Sequence, residues 1–332
     1  MMDRYARRWA AGLVLMLALL IGSGGSALAA CAGNANNIVV TVTPSPVLPG
    51  YDPFAAGDLV RTITVTITNN TNRRCDAAIS FQRSGSASPA MTSGGNGLNY
   101  VIEESTGGSS LVTTAGFISG SSPAAANRVA FGNVTSGSSA SRTLQVRIPA
   151  GQVVAAGDYI DGLVSMQVIG LNNAGTNPIR LVKAVAFVPQ ATVVAKCIMP
   201  SPSTPNLNFS AAIANGRPNS GVVQTTTFSN VACTAPARLR LTGAALQPTS
   251  PIPARAGFDN FINYRADGSF GSAAATLSTT VAEHSVDSAQ KNTASGATSN
   301  GFISVGVNLI SGNPIIAGSY TGILTVTIDP AL

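Results

Sequence analysis

Charge is what this chain has least of. Asp, Glu, Lys and Arg make up 10% of its 332 residues, aromatics make up 5%, and there is one histidine, His284. One histidine cannot build a His-based metal cluster or a conventional Ser-His-Asp triad. It lies in the polar stretch 279–301 and reads as a solvated loop residue. No G-x-S-x-G elbow and no P-loop occurs. Glu103 and Glu104 are adjacent in a strand-like stretch, where neighbours point to opposite faces, so they are poorly placed for paired acid and base work. No basic run suggests nucleic acid. These absences point away from an enzyme and leave no cofactor or metal to assign.

Long apolar runs are also missing, with one exception. Arg4, Arg7 and Arg8 precede an apolar run from Trp9 to Ile21, and Ser26-Ala27-Leu28-Ala29 follows it. This is the layout of a secretory signal peptide over residues 1–29, with cleavage expected after Ala29. The run is short for a membrane span, and no second stretch of about 18 apolar residues follows. The mature chain is expected to be exported and soluble.

Cysteine is scarce but even in number: Cys31, Cys75, Cys197 and Cys233. An oxidising compartment pairs such a set. Leu28-Ala29-Ala30-Cys31 also resembles the lipobox of a bacterial lipoprotein, in which Cys31 is lipidated. Lipidation would leave one of the other three unpaired, so parity favours disulfides.

What is abundant is Gly, Ala, Ser, Thr and Val, and 45% hydrophobic residues suffice to build cores. The regular pattern is a period of two. Ile63, Val65 and Ile67 alternate with threonines; Leu144, Val146 and Ile148 alternate with Thr143, Gln145 and Arg147; Ile303, Val305, Val307 and Leu309 repeat the pattern. Each reads as a half-buried strand, and Gly, Ser, Asn and Pro clusters separate them.

The chain also repeats itself. Cys31, Cys75, Leu98-Asn99-Tyr100 and Ala156-Gly157-Asp158-Tyr159 recur in order as Cys197, Cys233, Ile262-Asn263-Tyr264 and Ala317-Gly318-Ser319-Tyr320. Two related domains are the natural reading. One disulfide then falls in each half, Cys31 to Cys75 and Cys197 to Cys233, each worth about 3–4 kcal/mol.

Three further strings carry a family resemblance. Tyr51-Asp52-Pro53 precedes a Thr-rich strand, Arg147-Ile148-Pro149-Ala150-Gly151-Gln152 follows, and Ala156-Gly157-x-Tyr159-x-Asp161 closes the series. Together they resemble the spore coat protein U family, which supplies subunits of archaic, Csu-like chaperone–usher pili. The second half departs from the pattern: Gly322 replaces the aspartate, and Asn308-Leu309-Ile310-Ser311-Gly312-Asn313 replaces the Arg-Ile-Pro string.

The resemblance implies an all-β fold of two immunoglobulin-like antiparallel sandwiches, the second lacking its final strand. It implies a periplasmic pilus chaperone, an outer-membrane usher and a neighbouring pilin as partners, and export through the periplasm to the cell surface. In such fibres a neighbour's N-terminal extension fills the groove of an incomplete sandwich. Here residues 30–188 are expected to form a self-complemented first domain and 189–332 a pilin-like second domain. After 178 an apolar parity runs through Phe187, Ala191, Val193 and Ala195, interrupted by Pro189, which can split it into two strands.

The strand ending at Ile328 stops four residues before Leu332, so Leu324, Val326 and Ile328 are expected to face an incoming donor strand. With only Ala30 ahead of Cys31, no donor extension is expected, which places the subunit at the tip, mediating attachment and biofilm formation. An ordinary shaft or adaptor pilin, or a surface lipoprotein of the same fold, are the alternatives. The family's tip loops imply a surface-binding loop at Leu111, Val112, Phe117 and Ile118, with 84–97 around Met91 as a second candidate. Against this, Gly116-Phe117-Ile118-Ser119 echoes Gly301-Phe302-Ile303-Ser304, which favours core for Phe117 and Ile118. Mass spectrometry of the secreted protein should find a free N-terminal Ala30 and the two within-half disulfides. A diacylated Cys31 or a cross-half bridge would overturn this reading.

Overall fold

The computed structural model describes Cys31 and residues 35–331 apart from 86–87, 173–174, 200–203, 280–284 and 288–296. The expected signal segment and His284 lie outside the described residues. Among the described residues the regular structure is strand, with three short 3-10 turns. None of their helices is long and apolar enough to cross a membrane.

The alternating stretches form the strands that define the first core. Ile63, Val65 and Ile67 in Leu59–Asn69, and Leu144, Val146 and Ile148 in Ser138–Ile148, are fully buried. β-Branched residues and threonine suit this half-buried, pleated surface. The two strands pair antiparallel from Leu59 opposite Ile148 to Asn69 opposite Ser138. Ile38–Thr43 and Val101–Glu103 complete that sheet. A second sheet is built on Cys75–Arg83, with Val164–Leu171 and then Pro178–Ala186 on one side and Val129–Val134 on the other. Their apolar faces share one cluster containing Ile63, Val146, Phe81 and Met166. This is an immunoglobulin-like sandwich.

The second sandwich follows the same plan, with fewer strands among the described residues. Val223–Cys233, Thr298–Leu309, Tyr264–Phe270 and Ala273–Ser278 form one sheet, with Cys197–Ile198 at its edge. Ser285–Asp287, Ala237–Gly243 and Leu324–Pro330 form the other. Leu239, Leu241, Phe270, Leu277, Ile303 and Val305 fill the space between. Tyr159 Oη donates to the Ala155 carbonyl and Tyr320 Oη to the Ile316 carbonyl, each at 2.8 Å and each four residues back. The same corner thus opens the same strand in both halves, as in many sandwiches of this type.

The disulfides are Cys31–Cys75 and Cys197–Cys233. A Cys31 sulfur bonded to Cys75 has no valence left for a lipid thioether, so this arrangement is incompatible with the lipobox alternative.

The domain boundary needs correction. Pro189 does split the apolar parity: Pro178–Ala186 pairs with Val164–Leu171, whereas Gln190–Val193 pairs with Gly157–Ile160. Ala191 and Val193 are nevertheless buried in the first core. The chain changes sheet at the proline without leaving the domain, so the boundary lies after Val193 and not at 188. Just beyond it, buried Thr234 fastens the two sandwiches. Its hydroxyl donates to the Val194 carbonyl at 2.7 Å and accepts from Lys196 N–H at 2.8 Å. Its carbonyl accepts from Ala156 N–H at 2.6 Å. Lys196 Nζ also reaches Asp52 at 2.6 Å, and this hydrogen bond holds the Asp52 carboxyl below its ordinary pKa.

A secreted fragment ending at Val194 should unfold cooperatively in denaturant. One ending at Val188 should be weaker by at least the burial of Val193, about 1.5–3 kcal/mol. Equal midpoints would return the boundary to 188.

Candidate functional site

The candidate site is an edge. Leu324–Pro330 pairs with Ala237–Gly243 along one side, from Leu324 opposite Gly243 to Pro330 opposite Ala237. Among the described residues no strand pairs with its other side. The equivalent strand in the first sandwich, Val164–Leu171, has neighbours on both sides: Cys75–Arg83 and Pro178–Ala186. Among the described residues the second sandwich therefore shows no counterpart of Pro178–Ala186.

The consequence for side chains can be read by parity. Val164, Met166 and Val168 are buried in the first core, on a strand flanked on its second edge by Pro178–Ala186. Leu324, Val326 and Ile328 occupy the matching positions and pack against the second core, but each is only partly covered, and Thr325 between them is exposed. Ile323, at the start of the strand, is 81% exposed. A row of unpaired backbone groups thus runs beside a row of incompletely buried aliphatic side chains. Such an edge is a template for another strand.

One polar cluster in the first sandwich shows what the second has lost. Asp161 Oδ2 accepts from Arg83 Nε at 2.7 Å and from Tyr100 Oη at 3.0 Å, and Asp161 Oδ1 accepts from Leu163 N–H at 3.0 Å. All three side chains are largely buried. Burial, reinforced by the neighbouring Asp161 charge, pushes the Tyr100 hydroxyl pKa far up. Register aligns Arg83, opposite Val164, with Gly243, opposite Leu324. Tyr264 corresponds to Tyr100, and Gly322 takes the aspartate's place in the repeat. The tyrosine is kept while both of its charged neighbours have become glycine.

The expected surface-binding loop is largely core. Leu111 and Val112 are 3% and 4% exposed. Phe81 N–H donates to the Leu111 carbonyl at 3.2 Å and Leu111 N–H to the Ile102 carbonyl at 2.8 Å, while Val112 pairs in parallel with Phe81. Backbone bonds to both sheets hold this segment inside. Phe117 is half-buried against Ala78, Ile169 and Leu171, and Ile118 is 58% exposed. The tetrapeptide echo does not carry over either, because Ile303 is buried within Thr298–Leu309 and Phe302 is 64% exposed. Met91 is fully buried, paired with Leu98 in a hairpin, so the second candidate loop also turns inward at that residue.

Glu103 and Glu104 point opposite ways. Glu103 is buried and accepts from Arg147 Nε at 2.7 Å, Arg147 also reaches Asp58 at 2.8 Å, and Glu104 is exposed. Among the described residues no group of three or more His, Cys, Asp or Glu side chains is placed to hold a metal ion.

The geometry defines a two-sandwich β-protein, closed along the last strand pair of its first half and open along that of its second. No protein-family model matches the chain, and no curated protein does. Solved structures with a distantly similar fold include three pilus proteins. One is the CsuC–CsuE chaperone–tip adhesion subunit pre-assembly complex from archaic chaperone–usher Csu pili of Acinetobacter baumannii, at TM-score 0.38 and 12% identity, covering 88% of this chain and 100% of that one. Another is the CupB6 tip adhesin from Pseudomonas aeruginosa, at TM-score 0.35 and 12% identity, covering 88% and 92%. A third is CfaE, the adhesive subunit of CFA/I fimbria of enterotoxigenic Escherichia coli, at TM-score 0.34 and 9% identity, covering 87% and 94%.

Replacing Asp161 with alanine should leave the buried Arg83 Nε and the Tyr100 hydroxyl without their acceptor. A loss of about 3–5 kcal/mol is expected in chemical denaturation of the first sandwich. A loss under about 1 kcal/mol would show that water replaces the carboxylate.

Proposed function

We propose that this chain is a subunit of a chaperone–usher surface fibre whose second sandwich is completed in trans by a strand from a neighbouring subunit. The observation that carries the reading is the half-paired strand Leu324–Pro330, whose partly covered Leu324, Val326 and Ile328 stand where the first sandwich has buried counterparts. Strand addition satisfies the free backbone groups and covers those side chains in one step. A periplasmic chaperone serves the same edge before assembly, and an outer-membrane usher exchanges it for the neighbour's strand.

The first sandwich closes itself with Pro178–Ala186 and Gln190–Val193. It has no need of a neighbour's strand and is free to present a surface. The subunit accordingly acts as an adhesin at the fibre tip, supporting attachment and biofilm formation. Of the residues expected to touch a surface, Ile118 is the one that remains exposed, beside half-buried Phe117.

The two faces of the open strand give the test. Val326→Asp should abolish incorporation into fibres when the chain is co-expressed with its chaperone, usher and shaft subunits, because it places a charge beneath the incoming strand. Thr325→Asp, on the exposed face, should leave incorporation within about twofold of the unchanged protein. Equal incorporation of both variants, scored by immunoblot of sheared fibres, would end the donor-strand reading.

A further inference from the structure

The edge carries information about what fills it, because the same chain contains a filled version. Phe187 follows Pro178–Ala186, and its N–H donates to the Val164 carbonyl at 3.2 Å. Its ring is buried and lies edge-on to Phe81, with centroids 4.8 Å apart. Phe81 is on the strand beyond Val164–Leu171, so a side chain at this position reaches across one intervening strand. The matching place in the second sandwich is beside Leu324, with Leu241 and Gly243 on the strand beyond.

That end of the second sandwich holds an unpaired polar group. Tyr264 is 2% exposed, and its hydroxyl has no hydrogen-bond partner among the described residues. Its location is fixed by Gly243: a Cβ built there would fall on the Tyr264 hydroxyl, so the tyrosine tip occupies the space where a residue-243 side chain would begin. In the first sandwich Tyr100 is satisfied within its own chain by Asp161. In the second, glycine at 243 and 322 removes both the arginine and the aspartate and leaves the hydroxyl beside the open strand. Burial pushes its pKa up, so it stays protonated and able to donate at neutral pH.

We propose that the strand completing the second sandwich runs antiparallel to Leu324–Pro330 and carries, beside Leu324, a long side chain ending in a hydrogen-bonding group that pairs with the Tyr264 hydroxyl. This rests on the donor-strand reading and adds a chemical requirement to it. The partner has apolar residues at its other inward positions, as Val182 and Val185 provide in the first sandwich. At the Leu324 end it has a residue with the reach of Phe187 and a polar tip, such as glutamine. A strand without that tip leaves a buried hydroxyl unsatisfied, which weakens the complex by roughly tenfold.

The test uses the full-length secreted protein extended after Leu332 by a short Gly/Ser linker and a copy of Pro178–Val188, the strand already fitted to the equivalent edge. Two copies are compared, one unchanged and one carrying Phe187→Gln. Hydrogen exchange of the Leu324–Pro330 amides is the readout. Both extensions should slow exchange, the glutamine copy by a further fivefold or more, and Tyr264→Phe should remove that extra factor. If both slow exchange equally, or if Tyr264→Phe leaves the difference intact, the polar-tip requirement is overturned while strand donation stands. If neither slows exchange, donor-strand completion itself fails. In the unextended protein Tyr264→Phe should leave exchange unchanged or slower; faster exchange would mean the hydroxyl already has a partner and would overturn the proposal.

Discussion

A β-strand has two hydrogen-bonding edges, and the organisation of this molecule turns on whether one strand in each half has its second edge paired. In the first sandwich, Val164–Leu171 is bonded on both sides, and its inward-facing surroundings are buried: Met166 and Val168 in the core, Phe81 against Phe187, and a hydrogen-bonded triad of Arg83, Asp161 and neutral Tyr100 sealed at the strand's end. In the second, Leu324–Pro330 is bonded on one side, and its inward residues remain half-covered. Backbone pairing and side-chain burial cannot be separated here, because the strand that supplies one supplies the other.

Much of this could be read from the residues. Strict alternation at Ile63 to Ile67, Leu144 to Ile148 and Ile303 to Leu309 marks strands because one face must be dry and the other wet. The inward parity of Leu324, Val326 and Ile328 follows from the same rule. The paired cysteines and the two tyrosine corners are legible because they recur at matching places in both halves. Leu111, Val112 and Met91 were not legible. They sit singly or in pairs among glycine, serine and threonine, and their burial depends on bonds to strands elsewhere, such as Phe81 N–H to the Leu111 carbonyl. Short pieces like Val112–Thr113 leave no periodicity to detect.

The boundary and the orphaned tyrosine failed for different reasons. Pro189 looks like a domain break because it ends a ladder, yet the chain only moves to another sheet over the same core. Tyr264 matters through what its neighbours are not. Tyr100 and Asp161 are 61 residues apart, and Arg83 and Asp161 are 78 apart, so the cluster is invisible until the fold assembles it. The missing aspartate at Gly322 was visible in the repeat, but its meaning required Gly243 to be placed beside it.

The junction around Thr234 has a mechanical consequence. Tension applied to a strand bound along Leu324–Pro330 enters as shear across that ladder and passes sideways into Ala237–Gly243. From there the covalent route to the first sandwich is short: back to Cys233, across the disulfide to Cys197, and through Lys196 to Val194. The excursion between the two cysteines, which are 36 positions apart in sequence, is bypassed by this route. Thr234 clamps the entry of this route by bonding to Val194, Lys196 and Ala156. The two sandwiches are therefore coupled in series through a cross-link, and the bulk of the second core sits beside the load path and not in it.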